Sequence, residues 1–190
     1  MSTTVFSDID WERDGKQVGT IYLPHSPDDD AWGVIPFPAA SIKNGQGPVV
    51  VVSGAVHGDE YEGPIVIAEL MRQIQASEVA GQLILLPTFN APALRAGRRT
   101  SPIDHLNLNR VFPGDDHGLP TQQIARYVTD HILSRADFYL DLHAGGADTF
   151  YSAQCSCGYG RRYAARPHRS QRPLSRGIRG WHHSTNQQHG

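Results

Sequence analysis

Two short clusters in this 190-residue chain carry side chains suited to metal chemistry. His57 and Glu60 stand three apart in Gly54-Ala55-Val56-His57-Gly58-Asp59-Glu60, so a helical turn there would aim both the same way. His143 stands in Asp141-Leu142-His143-Ala144-Gly145-Gly146. Two imidazoles and a carboxylate converging on one point would make a three-ligand zinc site with its fourth position open to water. Zinc there would bring the pKa of a bound water down to about 7 and polarise a substrate carbonyl. Each cluster alone is a weak signal, because His-x-x-Glu is a common chance spacing and a lone His after a strand is commonly a plain loop residue. A third cluster, Asn109-Arg110, suits a carboxylate, since guanidinium binds it through two parallel hydrogen bonds and an amide adds a donor. Arg98 and Arg99 add positive potential nearby, although composition alone reads this stretch as a solvated loop.

The elements that would position these groups are legible in the apolar pattern. Val49-Val50-Val51-Val52 is a β-branched run of the kind found in strands buried on both faces, and it ends just before the first cluster. A helix follows, with Pro64 in its first turn and Ile67, Leu70, Met71 and Ile74 on one face. Leu83–Leu86 is a second buried strand, and Phe138–Leu142 a third that ends at His143. Between them runs a Gly/Arg/Asn-rich loop from Asn90 to about Pro120, then a helix marked by Ile124, Val128 and Ile132. Before residue 48, Val18–Leu23 and Val34–Phe37 are strand candidates. Strand, helix, strand, long loop, helix, strand is an α/β pattern with a largely parallel sheet. In such sheets ligands gather beyond the carboxyl ends of the strands, which is where both clusters fall. Gly54, Gly58, Gly145 and Gly146 would permit tight turns and close substrate approach there.

The net charge of −2 conceals a division. Residues 1–154 hold all 19 acidic side chains and sum to −9; residues 155–190 hold seven arginines with no lysine and no acid, and sum to +7. No apolar run reaches the length of a membrane-spanning helix, and the N-terminus lacks the pattern of a secretory signal. Cys155 and Cys157 make no disulfide framework, so a reducing cytoplasm is expected.

The motifs together resemble a known family. His57-Gly58-Asp59-Glu60, Asn90-Ala91-Pro92-Ala93, Asn109-Arg110-Val111-Phe112-Pro113-Gly114 and Asp141-Leu142-His143 occur in the order seen in the succinylglutamate desuccinylase/aspartoacylase family, which belongs with the zinc carboxypeptidases. Pro36-Phe37-Pro38-Ala39, Asn44-Gly45 and Ser101-Pro102-Ile103-Asp104 look like the branch containing the N-α-acetyl-L-2,4-diaminobutyrate deacetylases of ectoine breakdown. The resemblance implies a three-layer α/β sandwich around a mostly parallel or mixed sheet, incomplete at its C-terminus. It divides the chain into a β-rich segment 1–47, a partial zinc-hydrolase core 48–154 and an Arg-rich tail 155–190, expected to be disordered.

It also implies roles. His57, Glu60 and His143 would bind one Zn2+; Asn109 and Arg110 would hold a substrate carboxylate; Arg99 would polarise the scissile carbonyl or hold a carboxylate. Asn107 stands where the aspartoacylase branch has Asp. Asp141 would either orient a zinc-binding His or face away from it. The implied reaction is hydrolysis of the amide of a small N-acyl amino acid, with no membrane or nucleic-acid partner and the oligomeric state open. A carboxypeptidase activity is a second option within the same class. The family's general base is a Glu well downstream of the third ligand; here the last Glu is Glu78 and the last acid Asp148, so the base is unassigned. The family pattern stops near Tyr151–Gln154, and the composition break there points to a frameshifted or truncated reading frame. The alternative is a non-catalytic remnant that binds metal or, through a genuine Arg-rich tail, polyanions.

Overall fold

The computed structural model describes residues 4–31, 33–147 and 149 in full, and residues 154–159 as backbone. Its strands are β1 (Phe6–Ser7), β2 (Gly15–Pro24), β3 (Val34–Asn44), β4 (Val49–Gly54), β5 (Gly81–Leu86), β6 (Phe138–His143) and β7 (Gln154–Tyr159). Its helices are α1 (Glu62–Gln73), α2 (Ala91–Ala96) and α3 (Pro120–His131). The strands form one sheet in the order β1-β2-β3-β5-β4-β6-β7.

The centre of the sheet is parallel and its flanks are not. β4 runs parallel to β5 on one side and β6 on the other. The β1–β2, β2–β3, β3–β5 and β6–β7 pairs are antiparallel, so the sheet is mixed rather than largely parallel. Most of the difference arises before residue 48, where β2 and β3 pair as a long antiparallel ribbon that docks on β5 through Ala40–Asn44. Pro36 and Pro38 lie in β3 before pairing with β5 begins, where a strand loses least by lacking an N–H donor.

The valine run occupies the middle because both of its faces are covered. Val51 pairs with Ile84 and Tyr139, and this row faces the cluster that includes Ile124 and Val128 of α3. Val52 pairs with Leu85 and Leu140, and that row faces Ile67 and Met71 of α1. Sheet between two helical layers is the three-layer sandwich. Ile67 and Ile124 are essentially fully buried, each worth roughly 2 kcal/mol by area removed from water. Ile74 and Ile132 fall one residue beyond their helices, although each N–H still bonds the carbonyl four residues back. Phe138–Leu142 is less buried than a central strand, with only Asp141 of β6 fully enclosed.

The long loop is more ordered than its composition suggests. Asn90 accepts from Ala93 N–H at the start of α2 and donates to the Val56 carbonyl, tying this helix to the segment after β4. Asp104 accepts from Thr121 N–H and Thr121 Oγ1, both at 2.8 Å, which pins the loop to the first turn of α3. A short 3₁₀ turn covers Leu108–Arg110. At the other end, β7 takes Cys155–Tyr159 into the sheet, where the sequence shows no strand alternation. An edge strand needs only the open hydrogen-bonding groups of its neighbour, here β6, and not an apolar face. The remainder of the expected disordered tail, residues 160–190, lies outside the described residues. Among the described residues, no helix is long and apolar enough to cross a membrane.

Candidate metal centre

His57 and Glu60 sit in the tight segment between β4 and α1, 3% and 4% exposed. The chain enters this segment through Ala55, whose φ of 56° lies in the left-handed region. Gly58 permits the turn for a packing reason: a Cβ there would run into the carbonyl group of Ala93 in α2. Gly54 does the same against Gly63 and Pro64 at the start of α1. These two glycines therefore bring chain segments together, which is a different use from close substrate approach.

The third donor arrives on the neighbouring strand. β6 runs parallel to β4 and ends in His143, so both donor sets lie at the carboxyl edge of the parallel strands. His57, Glu60 and His143 each place a ligand atom within 4.8 Å of the others. Glu60 lies between the two imidazoles: its Oε1 is 2.7 Å from His57 Nδ1 and its Oε2 is 2.8 Å from His143 Nδ1. Ala144 N–H also donates to Oε2 at 3.0 Å.

Burial alone would raise the Glu60 carboxyl, but hydrogen bonds from His143, His57 and Ala144 outweigh it and hold the group well below the usual carboxylate range. His143 shifts the other way. Hydrogen bonds to Asp141 and then Glu60 push it up to about 10, against the effect of burial. The site thus stabilises positive charge at the point where two imidazole Nδ1 atoms face one carboxylate. A divalent cation fits that donor set, because it would replace a proton held between nitrogen and oxygen.

Behind His143 lies a chain of polar groups. Its Nε2 is 2.8 Å from Asp141 Oδ2, so Asp141 faces the imidazole and does not point away. Asp141 Oδ1 accepts from Ser53 Oγ at 2.7 Å, and Ser53 Oγ lies 2.7 Å from the Tyr139 hydroxyl. Burial, then the nearby Asp141 charge, raise the Tyr139 phenol well above its ordinary value, so it stays protonated. Ser53 and Tyr139 have no signal in the sequence, because their meeting depends on the β4–β6 register, in which Ser53 stands opposite Asp141. His57 differs: its Nε2 is buried with no hydrogen-bond partner among the described residues.

The arginines and Asn109 are placed less uniformly. Arg99 brings a guanidinium nitrogen to 3.4 Å from Glu60 Oε1, with its side chain 56% exposed. Asn109 and Arg110 are exposed on the 3₁₀ turn, and among the described residues no hydrogen bond or ion pair joins their side chains to the trio. Leu108 anchors that turn in the cluster that also contains Val56, the residue before His57. The Asn107 side chain accepts from Asn109 N–H, which holds the turn closed.

A three-layer α/β sandwich with a His-Glu-His donor set at the carboxyl edge of its parallel strands defines an α/β protein with a candidate metal site. Residues 46–170 match the succinylglutamate desuccinylase/aspartoacylase catalytic domain, and the chain belongs to that family. The match runs past Tyr151–Gln154, where the recognisable motifs stop. The chain is 46% identical over 138 residues to the N-alpha-acetyl-L-2,4-diaminobutyric acid deacetylase of Halomonas elongata, covering 73% of this chain and 40% of that protein. Among solved structures it resembles a succinylglutamate desuccinylase from Silicibacter sp., with 46% identity and a TM-score of 0.75 over 77% of this chain and 44% of the other. It also resembles the product-bound ectoine utilization protein EutE (DoeB) from Ruegeria pomeroyi, with 48% identity and a TM-score of 0.74 over 76% and 44% of the two chains. The chain thus spans less than half the length of these relatives.

Proposed function

We propose that this chain provides the zinc-binding part of an amidohydrolase that cleaves the amide of an N-acyl amino acid, with N-acetyl-2,4-diaminobutyrate as the substrate to test first. The observation that supports this most directly is one buried carboxylate between two imidazole Nδ1 atoms at the carboxyl edge of the central strands. The Halomonas deacetylase relationship supports the choice of substrate. In this reading His57, Glu60 and His143 hold the metal, and Asp141 keeps the His143 ring turned toward it. Bound zinc would supply Lewis acidity and a water acidic enough to ionise near neutral pH.

The other roles belong to exposed polar side chains. Asn109 and Arg110 would bind the α-carboxylate, since among the described residues the Arg110 guanidinium has no ion pair of its own to break. Arg99 would sit over the scissile carbonyl and stabilise the negative charge developing on its oxygen. No residue of this chain is assigned to proton transfer, because no Glu follows Glu78. The cytoplasmic setting and the division at residues 47 and 154 stay part of the same reading.

Zinc analysis of the purified chain, with and without chelator, is the test, together with amine release from N-acetyl-2,4-diaminobutyrate. The expected outcome is one chelator-removable zinc per chain with slow, zinc-dependent hydrolysis. A chain that takes up no zinc from micromolar solution, or hydrolysis indifferent to chelator, would overturn the proposal.

A further inference from the structure

The Tyr139–Ser53–Asp141 chain has a fixed direction. Asp141, paired with His143, can only accept, so the Ser53 hydroxyl must donate to it. The Ser53 proton is then committed, and the Tyr139 hydroxyl must donate in turn to Ser53 Oγ. Asp141 Oδ2 is left to accept from His143 Nε2–H, which turns His143 Nδ1 toward Glu60 Oε2, 2.8 Å away. Ser53 is fully buried and Asp141 is 3% exposed, so water does not replace a missing donor cheaply. Among the described residues, His57 has no comparable support at its Nε2.

We propose that Ser53 and Tyr139 are positioning residues for His143 as a metal ligand, acting through Asp141. This rests on the metal reading above. Both donors stand on the face of the sheet that carries His143: Tyr139, Asp141 and His143 alternate along β6, and Ser53 faces Asp141 from β4. The arrangement holds the ring in one orientation before any cation arrives, with Nε2–H committed to Asp141. Outer partners of this kind typically carry about 10–100-fold in metal affinity.

The experiment measures Zn2+ affinity by competition, and the Co2+ absorption spectrum, for the wild-type chain and for Ser53→Ala, Tyr139→Phe, Asp141→Asn and the Ser53→Ala/Asp141→Asn pair. Thermal unfolding of each metal-free protein is recorded alongside. Ser53→Ala should weaken zinc about tenfold and alter the cobalt spectrum. Tyr139→Phe should do so less, and Ser53→Ala should add nothing once Asp141 is Asn. If Ser53→Ala lowers the unfolding midpoint while leaving zinc affinity unchanged, or if its effect persists in the Asp141→Asn background, the residue is structural and the proposal fails. If Ser53→Ala does not fold, Tyr139→Phe decides by the same criterion. A wild-type chain that binds neither ion removes the metal reading, and this proposal with it.

Discussion

Glu60 accepts from two imidazoles and a backbone amide, and a guanidinium nitrogen lies 3.4 Å away. Its charge is what these groups share. Glu60→Gln keeps the shape and removes the charge, so zinc content should fall to background. The metal-free protein should lose roughly 2 kcal/mol, the scale of a hydrogen bond to a charged group, measurable by urea unfolding. Retention of stoichiometric zinc in this variant would place the metal elsewhere. Spacing alone leaves His57, Glu60 and His143 weak signals; their places just after β4 and at the end of β6, together with the ordered motifs, are what single them out in the sequence. Ser53 and Tyr139 were hidden for a physical reason: a serine in a valine run and a tyrosine in an apolar strand acquire meaning only when parallel pairing sets them beside Asp141.

The segment between β4 and α1 is shaped by close contacts. Ala55 holds a left-handed φ while fully buried, a conformation that costs a residue with a side chain on the order of 1–2 kcal/mol. Ala55→Gly should relieve that strain but give up about 0.8 kcal/mol of methyl burial, leaving stability within about 1 kcal/mol of wild type. Ala55→Val should cost at least ~3 kcal/mol, because a β-branched side chain is least tolerant of positive φ and has no room to move. Denaturant midpoints separate these outcomes, and a harmless valine would show that the segment relaxes easily. Helices α1 and α3 were readable from period, since each places an apolar stripe on the sheet, and the central strands from their continuous apolar runs. The ordered parts of the long loop were not, because α2 and the 3₁₀ turn are held by Asn90, Asn107 and Asp104 through contacts to partners that periodicity does not register.

At the scale of the molecule, the β-rich N-terminal segment is part of the same body as the site. Phe37 of β3 is fully buried in the cluster that includes Val51 of β4 and Val128 of α3. Phe37→Ala should therefore cost about 3–5 kcal/mol and lower the stability of the whole described body in one transition, although it lies in β3 and is no donor of the site. Two separated unfolding steps, with zinc lost in only one, would show instead that the segment folds independently. The antiparallel ribbon was legible as two strands, but its docking on β5 was not, since register between distant strands leaves no local trace.

The donors of the candidate centre are unequally spaced along the chain: His57 and Glu60 are three residues apart, and His143 follows Glu60 by 83. An unfolded chain can offer a cation at most the near pair without closing a long loop, whose entropy opposes it. The complete set exists only after β4 and β6 have paired. Metal should therefore act late in folding, slowing escape from the native state while leaving the rate of reaching it almost unchanged. In stopped-flow experiments, zinc should shift the unfolding limb of the chevron and spare the folding limb. The strand pairing that creates the site would then make the metal a lock on the finished fold, with no part as a template for building it.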